Sequence, residues 1–139
     1  MDQLMGDFLG PVFLAITAHA TLLFCAFYDK NEYIFASLPI GEILKQEIED
    51  YDASITVCLA LSVVFAVLEI LFLLRQIPSV FASCYSLLSH VIASIFLCKF
   101  ITDFHPIEHF WIVFAFGSCP TLLLQLFILA NSFNKQKIC

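Results

Sequence analysis

Glu69 is the residue most able to do chemistry, because it is the only charge in a segment otherwise suited to lipid. It lies within "SVVFAVLEILFLLRQ", Ser62 to Gln76, ahead of the basic Arg75. A carboxylate there could bind a proton, pair with a cation, or hydrogen-bond to another helix. An ionisable group inside a membrane segment points to a site with a definite partner. Three polar residues in other apolar segments are candidates: His19, His90 and Gln125. Two readings follow. In one, Glu69, His90, Gln125 and His19 make interhelical polar contacts that hold a bundle together. In the other, Glu69 and the histidines carry protons or ions in a small oligomeric channel or proton-coupled carrier.

Depth along the helix decides which of these groups can meet. His19 and His90 lie near the middle of their segments. Glu69 and Gln125 lie about five residues past theirs, roughly 7.5 Å at helical rise. The second and fourth segments run the same way, so Glu69 and Gln125 share a depth. A central charge costs about 2.5–3.5 kcal/mol on insertion scales, and each Leu, Ile, Val or Phe returns about 0.3–0.6. The many such residues around Glu69 outweigh that cost, so the segment can still insert.

Four segments must position these groups. The chain is 61% hydrophobic and 13% charged over 139 residues. A chain of that composition needs lipid as its solvent. About 20 residues cross a hydrocarbon core, and four stretches are long enough: about 8–28, 54–74, 80–101 and 110–131. Lys99 is near enough to the end of the third to snorkel. The fold class expected is therefore all-α, an antiparallel bundle of four transmembrane helices forming one domain over 1–139. The acidic N-terminus "MDQLMGDF" is unlike a removable signal peptide. The segment "RQIPS" is so short that the second and third spans are expected to be antiparallel neighbours.

Small and polar residues mark the face each helix turns to its neighbours. Cys58, Ser62 and Ala66 precede Glu69 at helical spacing. The third segment carries Ser79, Ser83, Ser86, His90 and Ala93, and the fourth Ser118, Thr121 and Gln125, with a kink expected at Pro120. Such stripes allow helices to approach closely. Cysteines fall singly in the spans and read as packing residues, not metal ligands or disulfides.

The connection 29–53 carries seven acids against two lysines, within a chain of net charge −6. After Pro39, residues Ile40, Ile43, Leu44, Ile48, Tyr51 and Ile55 recur at helical spacing. One reading is an acidic amphipathic helix that docks a protein through Glu47, Glu49 and Asp50. The other is a helical start to the second span with a solvated acidic face. Basic residues divide evenly between the two sides, and the lysines of "NSFNKQKIC" favour cytosolic termini with 29–53 exoplasmic.

"HPIEH", His105 to His109, fits the H-x-x-E-H spacing of a metallopeptidase class. Pro106 follows the first histidine in a short connection, and the sequence offers no catalytic domain around it. We therefore assign no catalytic residue, metal site or cofactor, and expect no nucleic-acid partner or small-molecule substrate.

Five segments resemble, in order, the transmembrane protein 107 family of the ciliary transition zone. They are "AITAHATLL", "ASLPI", "ALSVVFAVLEI", "YSLLSHVIAS" and "FWIVFAFGSCP". The resemblance implies a non-enzymatic scaffold in the ciliary membrane, within the Meckel syndrome module and beside tectonic-like membrane partners. It implies a part in cilium assembly and in the barrier controlling ciliary membrane composition.

Overall fold

The computed structural model describes the backbone of residues 2–39, 45–75 and 79–138, and the side chains of 8–39, 45–75 and 79–132. Within these limits the chain is helical, with α1 at Asp2–Tyr28, α2 at Lys30–Ser37, α3 at Lys45–Leu74 and α4 at Val80–Asp103. The fourth span combines α5 (Ile107–Val113), a π-helical turn (Phe114–Ser118) and α6 (Cys119–Ile138). Four helices are long and apolar enough to cross a membrane.

Each long helix has one inward stripe. On α3 the buried residues are Ile55, Cys58, Leu59, Ser62, Ala66, Glu69 and Leu73. Val57, Leu61, Val64, Val67 and Leu71 of the same helix are exposed. In water that arrangement would be inside out, but in lipid the apolar surface is already solvated. The helices are then held by close packing and interhelical polar contacts.

α1 packs against both α3 and α4, and so does the fourth span. The backbones of α3 and α4 do not pack closely among the described residues. This corrects the expectation that they are side-by-side neighbours. α3 and α4 are antiparallel but face each other across the bundle axis, with α1 on one side and the fourth span on the other. The inward stripes supply the physical reason. α1 places Val12, Ala15, Ile16 and His19 inward, and this buried face fits it between α3 and α4. Gln76–Pro78, in the middle of "RQIPS", lie outside the described residues.

The ends of α4 are set locally. Ser79 is its N-cap, accepting a bond from the Ala82 amide at 3.3 Å, so Ser79 starts the helix and does not belong to the interhelical stripe. At the other end Phe104 takes a left-handed conformation (φ 49°, ψ 59°). The His105 amide then donates back to the Phe100 carbonyl at 3.2 Å, closing the helix as a reversing cap.

Pro120 perturbs the fourth span through the π-helical turn immediately before it. A proline lacks an N–H, and its ring collides with the carbonyl four residues earlier. The wider turn relieves that collision, and the Cys119 amide donates to the Phe114 carbonyl five residues back. Exposed Thr17 and Thr21 bond to carbonyls four residues earlier at 2.8 and 2.9 Å, which satisfies their hydroxyls without a second helix.

The amphipathic pattern after Pro39 belongs from Lys45 onward to α3 itself. Ile48, Tyr51 and Ile55 are therefore the helical start of the second span; Ile40, Ile43 and Leu44 lie outside the described residues. α2 caps this end of the bundle. Lys30 pairs with Asp52 at 2.6 Å, and Ser37 Oγ accepts from the Ile107 amide at 2.9 Å. Tyr33 is fully buried, its ring 4.9 Å from that of Phe110.

Candidate functional site

Glu69 is fully buried on α3 at the bundle axis. Thr121 Oγ1, on α6, lies 2.5 Å from Oε1. Oε2 accepts from Ser86 Oγ of α4 at 3.1 Å and from Gln125 Nε2 of α6 at 3.3 Å. His90 Nε2, also on α4, is 3.0 Å from the same oxygen. A carboxylate is acceptor-only and offers about four lone-pair sites. Four polar side chains from two facing helices surround it here.

Two of these four partners were named as site residues from the sequence, and two were not. Gln125 and His90 contact Glu69 directly. His19 does not; its ring sits edge-on to that of His90, centroids 5.1 Å apart. Ser86 and Thr121 complete the site. They were visible only as members of the small-residue stripes, each four residues before a named residue (Ser86 before His90, Thr121 before Gln125). Residues four apart share a helical face, so each helix presents a hydroxyl one turn from its larger polar group.

Proton placement at Oε1 has two self-consistent arrangements. Thr121 has one hydroxyl proton and three acceptors in reach: Glu69 Oε1, the Ser118 carbonyl at 2.9 Å and the Gly117 carbonyl at 3.3 Å. It can donate to the carboxylate. Alternatively it donates to the Ser118 carbonyl while a protonated Glu69 donates to it. For His90 to donate through Nε2, its Nδ1 must be the acceptor or the ring must be an imidazolium. His90 Nδ1, Gln125 Oε1 and both nitrogens of His19 have no hydrogen-bond partner among the described residues.

This arrangement can hold a proton between Glu69 and its neighbours and can lock three helices in register. Among the described residues no group of three or more His, Cys, Asp or Glu side chains is placed to hold a metal ion. His105 and His109, from the metallopeptidase-like motif, approach with Nδ1 atoms 3.1 Å apart. A hydrogen bond between them has one ring as donor and the other as acceptor.

The acidic docking candidates lie elsewhere, in the first turns of α3. Glu49 and Asp50 are exposed and Glu47 is half-buried. Glu49 pairs loosely with Lys45 at 3.6 Å. Glu47, Asp50, Tyr51 and Ser54 line a shallow cleft of about 350 Å³.

A family model described as TMEM107, transmembrane protein, matches residues 11–129, which takes in most of each span and every residue of the Glu69 cluster. The chain belongs to the transmembrane protein 107 family. It is 30% identical over 122 residues to transmembrane protein 107 of Danio rerio, covering 86% of this chain and 89% of that protein. It is 31% identical over 139 residues to transmembrane protein 107 of Rattus norvegicus, covering 96% and 98%. No solved structure matches the chain. In this member of the family four buried polar side chains, from α4 and α6, meet one carboxylate on α3.

Proposed function

We propose that this protein is a non-enzymatic membrane scaffold of the ciliary transition zone. In this reading it is needed for cilium assembly and for the barrier that sets ciliary membrane composition. It works beside tectonic-like and other Meckel-module membrane proteins, with both termini cytosolic. The observation that carries the proposal is membership of the transmembrane protein 107 family across residues 11–129. The site supports it chemically. Glu69 is engaged by four partners inside the bundle, as suits a group that fastens helices, and leaves lipid-facing helix surfaces for other membrane proteins.

The test is a tagged copy expressed at native level in ciliated cells. A discrete focus at the ciliary base, lost together with tectonic-like partners when the gene is removed, supports the scaffold. Uniform plasma-membrane signal overturns it.

A second reading, a proton-coupled carrier or small oligomeric channel, draws on one specific observation. Glu69, His90 and His19 form a row at the bundle axis, and His19 contributes to it two buried nitrogens that have no partner among the described residues. A pH-driven flux in liposomes containing the purified protein would favour that reading over the scaffold.

A further inference from the structure

On the lipid side of the bundle, opposite α1, a groove of about 580 Å³ opens between α4 and the α5–π-turn segment. Its floor is Ala93 and Gly117, and its walls include Phe96, Phe100 and Phe116. The floor is low because both residues are small. A Cβ at Gly117 would meet the Ala93 Cβ at 3.2 Å, so the backbones nearly touch there. The π-turn shapes the floor, where Ser89 Oγ donates to the Gly117 carbonyl at 2.9 Å. His109 lies at the mouth, its ring 5.4 Å from that of Phe100.

We propose that this groove binds one sterol molecule from the leaflet on the side of the 29–53 connection. Length is the first argument. From Phe100 at the mouth to Tyr85 is fifteen residues of α4, about 22 Å at helical rise. One leaflet with its headgroup region is about 20–22 Å, and a sterol spans one leaflet. A partner's transmembrane helix would call for a groove running the full thickness, which the α5 side does not supply.

Shape is the second argument. A narrow slot with a small-residue floor between phenyl rings suits a flat, rigid ring system. A flexible acyl chain would lose more conformational freedom on entering it. Charge is the third. Lys99, Asp103 and Glu108, exposed and near Phe100 and His109 along the chain, are one cation against two acids at the same end as the acidic connection. That balance disfavours an anionic headgroup and suits a neutral one. A single hydroxyl meets His109, which offers a ring nitrogen at interfacial depth. The inference is independent of the scaffold reading.

The experiment uses the full-length protein in phosphatidylcholine nanodiscs, labelled with a photoreactive cholesterol analogue bearing an alkyne. Labelling should saturate, be competed by unlabelled cholesterol, and map to peptides containing Phe96–Phe100 or Ile112–Gly117. Ile92, exposed and lining the groove, provides the blocking variant. Ile92→Trp should lose the competable fraction, while Val67→Trp, on the exposed face of α3, should keep it. Labelling that cholesterol does not compete, or that maps outside the groove, overturns the proposal. So does equal labelling of the groove by a photoreactive phosphatidylcholine that cholesterol fails to displace. These wild-type measurements decide the matter even if Ile92→Trp does not fold.

Discussion

Glu69 of α3 and His90 of α4 meet across the bundle axis, Oε2 to Nε2 at 3.0 Å, with side chains 0% and 1% exposed. Among the described residues the backbones of the two helices do not pack closely, so this contact and the Ser86 bond bridge them through side chains. α6 joins at the same point through Thr121 and Gln125. One carboxylate therefore ties three spans, and its removal should be felt by all of them.

Glu69→Leu leaves four polar partners without their common acceptor. At about 0.6 kcal/mol for an average interhelical hydrogen bond, the expected loss is about 2 kcal/mol of stability. Glu69→Gln should cost less than about 1 kcal/mol, because its carbonyl still accepts from partners on the Oε2 side while its amide donates to Thr121. Unfolding in mild detergent measures both. Equal losses would argue against a hydrogen-bonding role, and a folded, correctly localised but inactive Glu69→Gln would favour the proton carrier.

Thr121 provides a finer test at the short contact. Thr121→Val keeps the shape and removes the hydroxyl, and should cost between about 0.6 and 1.7 kcal/mol, the mean and upper range for such bonds in a bilayer. Thr121→Ser retains the donor and should lose less. The same unfolding measurement applies, and a serine variant as weak as valine would mean that packing, not the hydroxyl, matters at Thr121.

Tyr33 sits outside the spans, on α2, with its hydroxyl buried and unpartnered among the described residues. Burial pushes its phenol up to about 12, helped by Asp29, Cys25 and Glu32. A phenol raised above its ordinary value near 10 stays neutral longer in the folded protein. Its contribution to stability is therefore present below about pH 10 and is lost as the pH rises towards 12. Ultraviolet titration of tyrosinate should show one late component, absent in Tyr33→Phe. Because the phenylalanine removes an unpaired buried hydroxyl, that variant should be at least as stable as the parent.

Reversal of Glu47, Glu49 and Asp50 to lysine separates docking from solvation. At exposed Glu49 and Asp50 such substitutions change stability by about 0.5 kcal/mol or less, and the Lys45–Glu49 pair, 91% and 66% exposed, adds little to hold. Recruitment of the tagged protein to the ciliary base should weaken while insertion is unchanged. Undiminished recruitment would leave these acids as a solvated helix start.

Orientation is testable with single cysteines in a cysteine-free background. Labels placed near either terminus should react with a membrane-impermeant maleimide only after permeabilisation, and a label at exposed Asp50 should react in intact cells. Reaction of the C-terminal label in intact cells would invert the topology.

Four spans, the inward stripes of the second, third and fourth, and Glu69 as the one carboxylate deep in the apolar segments were legible in the sequence. These follow from composition and from the 3.6-residue period, which are local properties of the chain. The depth match between Glu69 and Gln125 follows from helical rise in the same way. Which helices lie side by side does not. A short connection requires antiparallel order but leaves adjacency open, and packing of α1 between α3 and α4 decided it. The same packing put His19 against His90 and not against Glu69. It also brought Ser86 and Thr121 onto the carboxylate, because a hydroxyl that can bond its own backbone carries no sign of a distant partner. The Pro120 kink was legible, but not its form as a π-turn, since the strain could be relieved in several ways until α4 fixed where Gly117 must lie.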